Sequence, residues 1–211
     1  MKWLIVSAAA GALLGLASCA TMSADQCLAG DWTGQGYSDG AQGLSMSRLA
    51  EHAEACAPHG VVPDRAAYAA GRDQGLVQYC TPANGFRAGR TGSGYGGVCP
   101  GYLEADFMPA YRDGQIVHGV EQVLADARGR VDSLGRELEH LDEKITGKQA
   151  ELRAEGVTDE QRAQIRDRIQ DLRRERANTE RDWRRAQEAI DEAERDVRDV
   201  RGRFRREYGD W

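Results

Sequence analysis

The residues best suited to chemistry lie in the first half of the chain. His52 and Cys56 stand four apart, so a helix would carry them on one face, with His59 close behind and Glu51 and Glu54 alongside. Imidazole, thiolate and carboxylate in that grouping suit copper or zinc. The competing reading is a disulfide cysteine beside a solvent-facing histidine. Leaving Cys19 aside, Cys27, Cys56, Cys80 and Cys99 form an even set spaced by 29, 24 and 19 residues. They include no close CxxC pair of the kind that dominates structural zinc sites. Two disulfides are expected, four cysteines permitting three pairings, and no metal ligand is assigned. Acid–base chemistry would draw on His52, Glu51, Asp39 and Asp113. Presence alone fixes no mutual geometry, so no catalytic residue and no cofactor is assigned. The glycine-rich run from Gly89 to Gly97 invites a phosphate cradle, but no GKS or GKT follows it, and no strand–helix frame surrounds it.

Cys19 carries a different chemistry. It closes Leu16-Ala17-Ser18-Cys19, which follows Lys2 and an apolar run from Trp3 to Leu14, the layout of a secretory signal. That run is shorter than the roughly 20 residues a membrane-spanning helix needs. By resemblance to bacterial lipoproteins, residues 1–18 are a signal peptide and the mature chain starts at a diacylglycerol-modified, N-acylated Cys19. Residues 19–26 then serve as a lipidated tether. Export to an oxidising compartment is what makes disulfides the better reading of the other cysteines. Ala20, standing where an Asp would retain an enteric lipoprotein at the inner membrane, points to the periplasmic face of the outer membrane.

The rest of the chain divides by composition. Residues 27–115 hold most of the glycine and tyrosine, and 116–211 hold no cysteine and most of the charge. The first part is read as a small, disulfide-pinned, helical, glycine-rich domain. Within it, 31–40 is expected to be an irregular loop anchored by Trp32 and Tyr37, since its glycines admit turn conformations. A first helix is expected over 44–56, ended by Pro58, His59 and Gly60. A second starts at Pro63-Asp64, with Asp64 capping it. Gly71 and Gly75 on that second helix leave a groove that another backbone can approach. An aromatic residue followed three positions later by glycine recurs at Tyr37, Tyr68, Phe86 and Tyr111, an echo too imperfect for a solenoid repeat.

These residues resemble a known family. Cys27, Trp32, Asp39-Gly40, Gly43, His52 with Cys56, Tyr68 to Gly71 and Gly75-Leu76 match the bacterial lipoproteins grouped as domain of unknown function 2799. Tyr79-Cys80, Gly89, Gly92, Tyr95, Val98-Cys99-Pro100 and Tyr111 to Gly114 complete the pattern. The resemblance covers about 27–115 and implies export, lipidation and paired cysteines; it supplies no activity or substrate. If the two expected helices form an antiparallel hairpin, Cys27 pairs with Cys80 and Cys56 with Cys99.

From 116 onward the periodicity is that of a coiled coil. Val117, Val120, Leu124, Ala127, Val131, Leu134, Leu138, Leu141 and Ile145 alternate steps of three and four. Gly156 interrupts, Thr158 to Gln161 is a capping box, and the stripe resumes from Ile165 to Phe204. An antiparallel hairpin, with Leu134 against Trp183 and Ala127 against Ile190, is favoured over the alternative of a parallel dimer. Phe204, Tyr208 and Trp211 should overrun its base and pack on the cysteine-bearing domain. The whole is mainly α. The net charge of −6, with 21 basic and 24 acidic residues mixed from 121 to 211, excludes the clustered basic face nucleic acid requires. The expected function is that of a non-enzymatic envelope adaptor, held by its lipid, whose arm binds another envelope protein or peptidoglycan or self-associates. The alternative is a small-ligand, metal-binding or enzymatic domain in 27–115 with the hairpin as its stalk.

Overall fold

A computed structural model describes residues 21–211; the lipobox, Cys19 and the rest of the signal lie outside the described residues. Seven α-helices are described, and no strand occurs among these residues. Local chemistry sets most of their ends. Ser23 and Gln26 form a reciprocal capping box for α1 (Ala24–Ala29), and Gly30, at φ 64°, turns the chain out of it. Asp31 Oδ1 then accepts from Gly34 N at 2.8 Å and opens α2 (Trp32–Ala41). The expected loop at 31–40 is therefore a helix. The helix α3 spans Arg48–Cys56 and runs into a 3-10 turn, Ala57–His59, stopped by Gly60. Asp64 caps α4 (Arg65–Tyr79) through the amides of Ala66 and Ala67, as its position led us to expect.

The chain divides into two compact units, 21–79 with 96–98, and 80–95 with 99–211. The expected boundary at 115/116 falls inside α6 (Gly101–Arg153), one unbroken helix. The expected tether at 19–26 is also folded from Thr21 onward. Met22 is buried with Cys27, Trp32, Leu49, Cys56 and Tyr68 in the core of the first unit.

That unit is built on a close crossing of α2 and α4. A Cβ on Gly36 or Gly40 would stand 2.1 or 2.2 Å from the carbonyl oxygens of Tyr68 and Arg72. One on Gly71 or Gly75 would meet those of Thr33 and Tyr37 at 2.0 and 2.2 Å. No side chain fits there, so the backbones touch. Tight packing offsets the roughly 1 kcal/mol by which each glycine weakens a helix relative to alanine. Gly36 and Gly40 meet Tyr68 and Arg72 in the same order along the chain, so the helices run parallel. The antiparallel hairpin assumed for the cysteine pairing does not form.

The disulfides are Cys27–Cys56 and Cys80–Cys99. This corrects the expected pairing of Cys27 with Cys80 and Cys56 with Cys99. Each bond closes a loop within its own unit. The first joins α1 to the end of α3; the second joins the residues just before α5 (Pro82–Arg90) and α6.

The second unit repeats the crossing with α5 and α6. A Cβ on Gly85, Gly89 or Gly114 would reach the carbonyl oxygens of Phe107, Tyr111 and Phe86 at 2.5, 2.0 and 2.2 Å. A constant offset maps Thr33, Tyr37 and Gly40 onto Phe107, Tyr111 and Gly114. Another maps Gly71, Arg72 and Gly75 onto Gly85, Phe86 and Gly89. The aromatic–glycine echo is thus structural in its Tyr37 and Tyr111 members, where Gly36-Tyr37-Ser38-Asp39-Gly40 in α2 corresponds to Ala110-Tyr111-Arg112-Asp113-Gly114 in α6, whereas Tyr68 falls opposite Pro82 and Phe86 opposite Arg72.

Beyond that crossing α6 pairs with α7 (Asp159–Tyr208), which opens on the expected Thr158–Gln161 capping box. The Trp183 indole nitrogen lies 3.9 Å from a Cβ position on Gly135, the neighbourhood expected from setting Leu134 opposite Trp183. Leu141, Ile145 and Leu172 form a core layer further out. Arg176 breaks the apolar stripe but is not idle, its guanidinium gripping both Asp142 oxygens at 2.6 and 3.1 Å across the hairpin. At the base, Phe86 stacks on Tyr208 with ring centroids 4.0 Å apart, and Trp211 meets it edge-on at 4.7 Å. The terminal aromatics pack, as expected, on the cysteine-bearing stretch.

Candidate functional site

The polar residues singled out from sequence converge at one place in the first unit. Asp39 leaves α2 toward α3 and α4, and its carboxylate is almost fully buried. Asp39 Oδ2 accepts from His52 Nε2 and from the Tyr68 hydroxyl, both at 2.7 Å, and Oδ1 accepts from Gln35 Nε2 at 3.1 Å. On the far side of the imidazole, His52 Nδ1 lies 2.7 Å from Thr21 Oγ1. His52 and Tyr68 have no exposed surface, and their rings meet edge to face at 6.0 Å. Burial first, then the hydrogen bond to Asp39, pushes the Tyr68 hydroxyl well above the usual phenol range.

The glycines make this possible. Because Gly36 and Gly40 let α2 lie directly against α4, Asp39 comes within hydrogen-bonding reach of Tyr68 across the crossing. Arg72 is buried in the same crossing, with its Nε donating to the Leu44 carbonyl at 2.8 Å and holding the chain between α2 and α3.

Thr21–His52–Asp39 is a hydroxyl–imidazole–carboxylate chain like the relay that activates nucleophiles in hydrolases, with the ring nitrogens exchanged, the hydroxyl meeting Nδ1 and the carboxylate Nε2. Thr21 is the partly exposed end of it. A carboxylate accepting three hydrogen bonds and an imidazole engaged at both nitrogens also form a fully satisfied polar core, which fixes one packing arrangement. Of the residues expected to do chemistry, Asp39 and His52 are joined. Glu51 lies apart, exposed and ion-paired with Arg48. Asp113 belongs to the second unit and accepts from the Tyr208 hydroxyl at 2.8 Å. The metal grouping does not assemble, because Cys56 is spent in its disulfide and both His52 nitrogens face Asp39 and Thr21. Among the described residues no group of three His, Cys, Asp or Glu side chains is placed to hold a metal ion.

Sequence reasoning missed Thr21, Gln35 and the role of Tyr68. The available signal was the Tyr-x-Asp-Gly echo: Asp39 and Asp113 are its equivalent aspartates, and each accepts from a tyrosine hydroxyl.

Both crossings fall within one family signature. Residues 31–116 match the DUF2799 family, a protein of unknown function. The DUF2799 segment runs from Asp31, the cap of α2, to Ile116, just beyond Gly114, so it spans the paired glycine crossings and stops where α6 turns to α7. It agrees with the expected resemblance over 27–115. No curated protein and no solved structure matches the chain. Among the described residues no helix is long and apolar enough to cross a membrane.

Proposed function

We propose that this protein is a lipid-anchored envelope adaptor. Its DUF2799 region would be the membrane-proximal scaffold, and its hairpin the arm that engages another envelope protein or peptidoglycan. The observation that carries this reading is the contrast between the arm's length and its faces. α7 has 50 residues, about 75 Å at 1.5 Å per residue, and its outer surface is covered with mixed charge. Ion pairs such as Arg128–Glu194 and Arg201–Glu121 tie the two helices together. A long, ion-paired, two-helix rod with so narrow an apolar seam is suited to spacing and docking.

The anchor rests on the lipobox at Cys19 together with a domain that is folded from Thr21. Radiolabelled palmitate should enter the wild-type protein and fail to enter Cys19→Ala, which should also leave the membrane fraction. A Cys19→Ala protein still labelled and membrane-bound would refute the anchor.

A second reading is favoured by the Thr21–His52–Asp39 relay, which would make the first unit a hydrolytic or ligand-binding centre with Thr21 as its reactive hydroxyl. Labelling of Thr21 by an acylating or phosphonylating probe, lost in His52→Gln, would favour this reading over the adaptor. Equal labelling in both proteins would reject it.

A further inference from the structure

Leu28 and Val62 are the most exposed large aliphatic side chains of the first unit, at 67% and 86% of their full surface. Both are tied to the same disulfide. Leu28 follows Cys27, and the amide of Val61 donates to the carbonyl of Cys56, its bonded partner, at 3.4 Å. Val61 packs inward on the core that holds Met22, leaving Val62 directed outward. Next to Val62, Pro63 helps to line an open groove of about 490 Å³ whose other lining residues include Met46, Leu49, Ala53 and Arg65. The unit thus presents two projecting aliphatic side chains, one next to Cys27 and one next to the residue hydrogen-bonded to Cys56, and beside Val62 a trough lined mainly by apolar residues with one cation among them.

The chain's own course says what meets that surface. Thr21 is held by His52, and Met22 is buried in the core beside Cys27 and Cys56. Only Ala20 separates Thr21 from Cys19. At no more than about 3.6 Å per residue, two peptide steps keep Thr21 within about 7 Å of the lipidated residue. A domain held that closely has no room to stand away from the bilayer, and aliphatic side chains at its anchored end gain free energy by entering the boundary between headgroups and acyl chains.

Building on the lipid-anchor reading above, we propose that the Leu28–Val62 edge of the first unit is a phospholipid-contacting surface. Leu28 and Val62 enter the bilayer, and Arg65 meets a headgroup phosphate. The Thr21–His52–Asp39 clamp holds this edge against the membrane, so that the anchor fixes an orientation as well as a location.

The test uses full-length lipidated protein in vesicles of phosphatidylethanolamine and phosphatidylglycerol. An environment-sensitive fluorophore is attached through Leu28→Cys, Val62→Cys or, as an exposed position of the same unit, Asp73→Cys. Peptide mapping verifies that both native disulfides are intact in each. The proposal predicts that every variant floats with the vesicles. Labels at 28 and 62 shift to the blue and are quenched by nitroxide-bearing lipids, and the label at 73 does neither. Vesicle-bound protein whose labels at 28 and 62 behave as the one at 73 would overturn the membrane-contacting edge and leave the anchor standing. Protein that fails to float would overturn the anchor and this proposal together.

Discussion

The two glycine crossings share a backbone and differ in what they hold. In each, a Tyr-x-Asp-Gly helix lies parallel against a helix with two glycines four apart, and carbonyl oxygens fill the places where side chains would stand. In the first unit the equivalent aspartate is buried under three donors and linked through His52 to Thr21. In the second it has the hydroxyl of Tyr208, contributed by α7, whose ring stacks on Phe86 while Trp211 meets Phe86 edge-on. One spacing device therefore supports a polar core that secures the start of the described chain and an aromatic core that secures its end. The crossing is scaffold, and the function lies in what is clamped to it.

The strongest way to break the comparison is to widen the crossings. Gly40→Ala and Gly114→Ala each place a methyl about 2.2 Å from a carbonyl oxygen. Each should destabilise its unit by about 2–3 kcal/mol despite alanine's better helix propensity, measured by chemical denaturation. Gly36→Ala should do the same, whereas its counterpart is already Ala110, packed with Phe86 and Val117. The second crossing is looser at that end, where a Cβ on Gly85 would stand 2.5 Å from its carbonyl oxygen and one on Gly71 would stand 2.0 Å from its own. A Gly36→Ala protein as stable as wild type would show that the crossings are less alike in their tolerance than in their register.

The aspartates sharpen the contrast. Asp39→Asn disturbs a buried carboxylate with three donors and should cost about 2 kcal/mol. Asp113→Asn, with one donor from a partly exposed tyrosine, should cost about 1 kcal/mol. Equal losses would mean that the three donors around Asp39 contribute no more to stability than the single donor to Asp113.

A smaller effect appears at high pH. Burial and Asp39 raise Tyr68 above its unfolded value, so the folded state holds that proton more tightly. The stability this represents is fully present below about pH 10 and is lost as pH rises through the folded value. Tyr68→Phe should flatten the alkaline limb of a melting-temperature profile. An unchanged limb would assign it to other groups, Tyr208 foremost, since burial and Asp113 raise that residue too.

The smallest effect belongs to the hairpin. The hydrogen bond from Arg176 lowers the Asp142 carboxyl. The pair's contribution is therefore present above the ordinary Asp range near pH 4 and fades as pH falls below it. Both groups are exposed, so Arg176→Ala should lower the melting temperature slightly at low salt and not at all in molar salt.

Much of the helical plan was legible from residues alone. The seam from Val117 to Ile145, the Thr158 cap and the terminal aromatics rest on period and capping, which are local properties. The start of α4 at Asp64 was legible for the same reason. What escaped was governed by tertiary contact. Gly36 and Gly40 look like turn residues until α4 supplies the backbone they pack on. The disulfide pairing failed with the assumed antiparallel hairpin, since the helix lying along α4 is α2 and runs parallel to it. The residue types of His52 and Asp39 point to them directly, but Thr21 sits 31 positions from His52, and no local pattern announces such a partner.

The adaptor account stands or falls on the reach of the arm. Asp142–Arg176 and Gly135–Trp183 fix the pairing of α6 with α7, so removing 138–151 together with 167–180 deletes two heptads from each helix in register. The arm then shortens by about 21 Å, with both glycine crossings and the aromatic base untouched. Crosslinked co-purification from cell envelopes should recover specific partners with the full-length protein and lose them with the shortened, folded one. Recovery of the same partners by both proteins would contradict the account and direct attention to the DUF2799 region and its Thr21–His52–Asp39 relay.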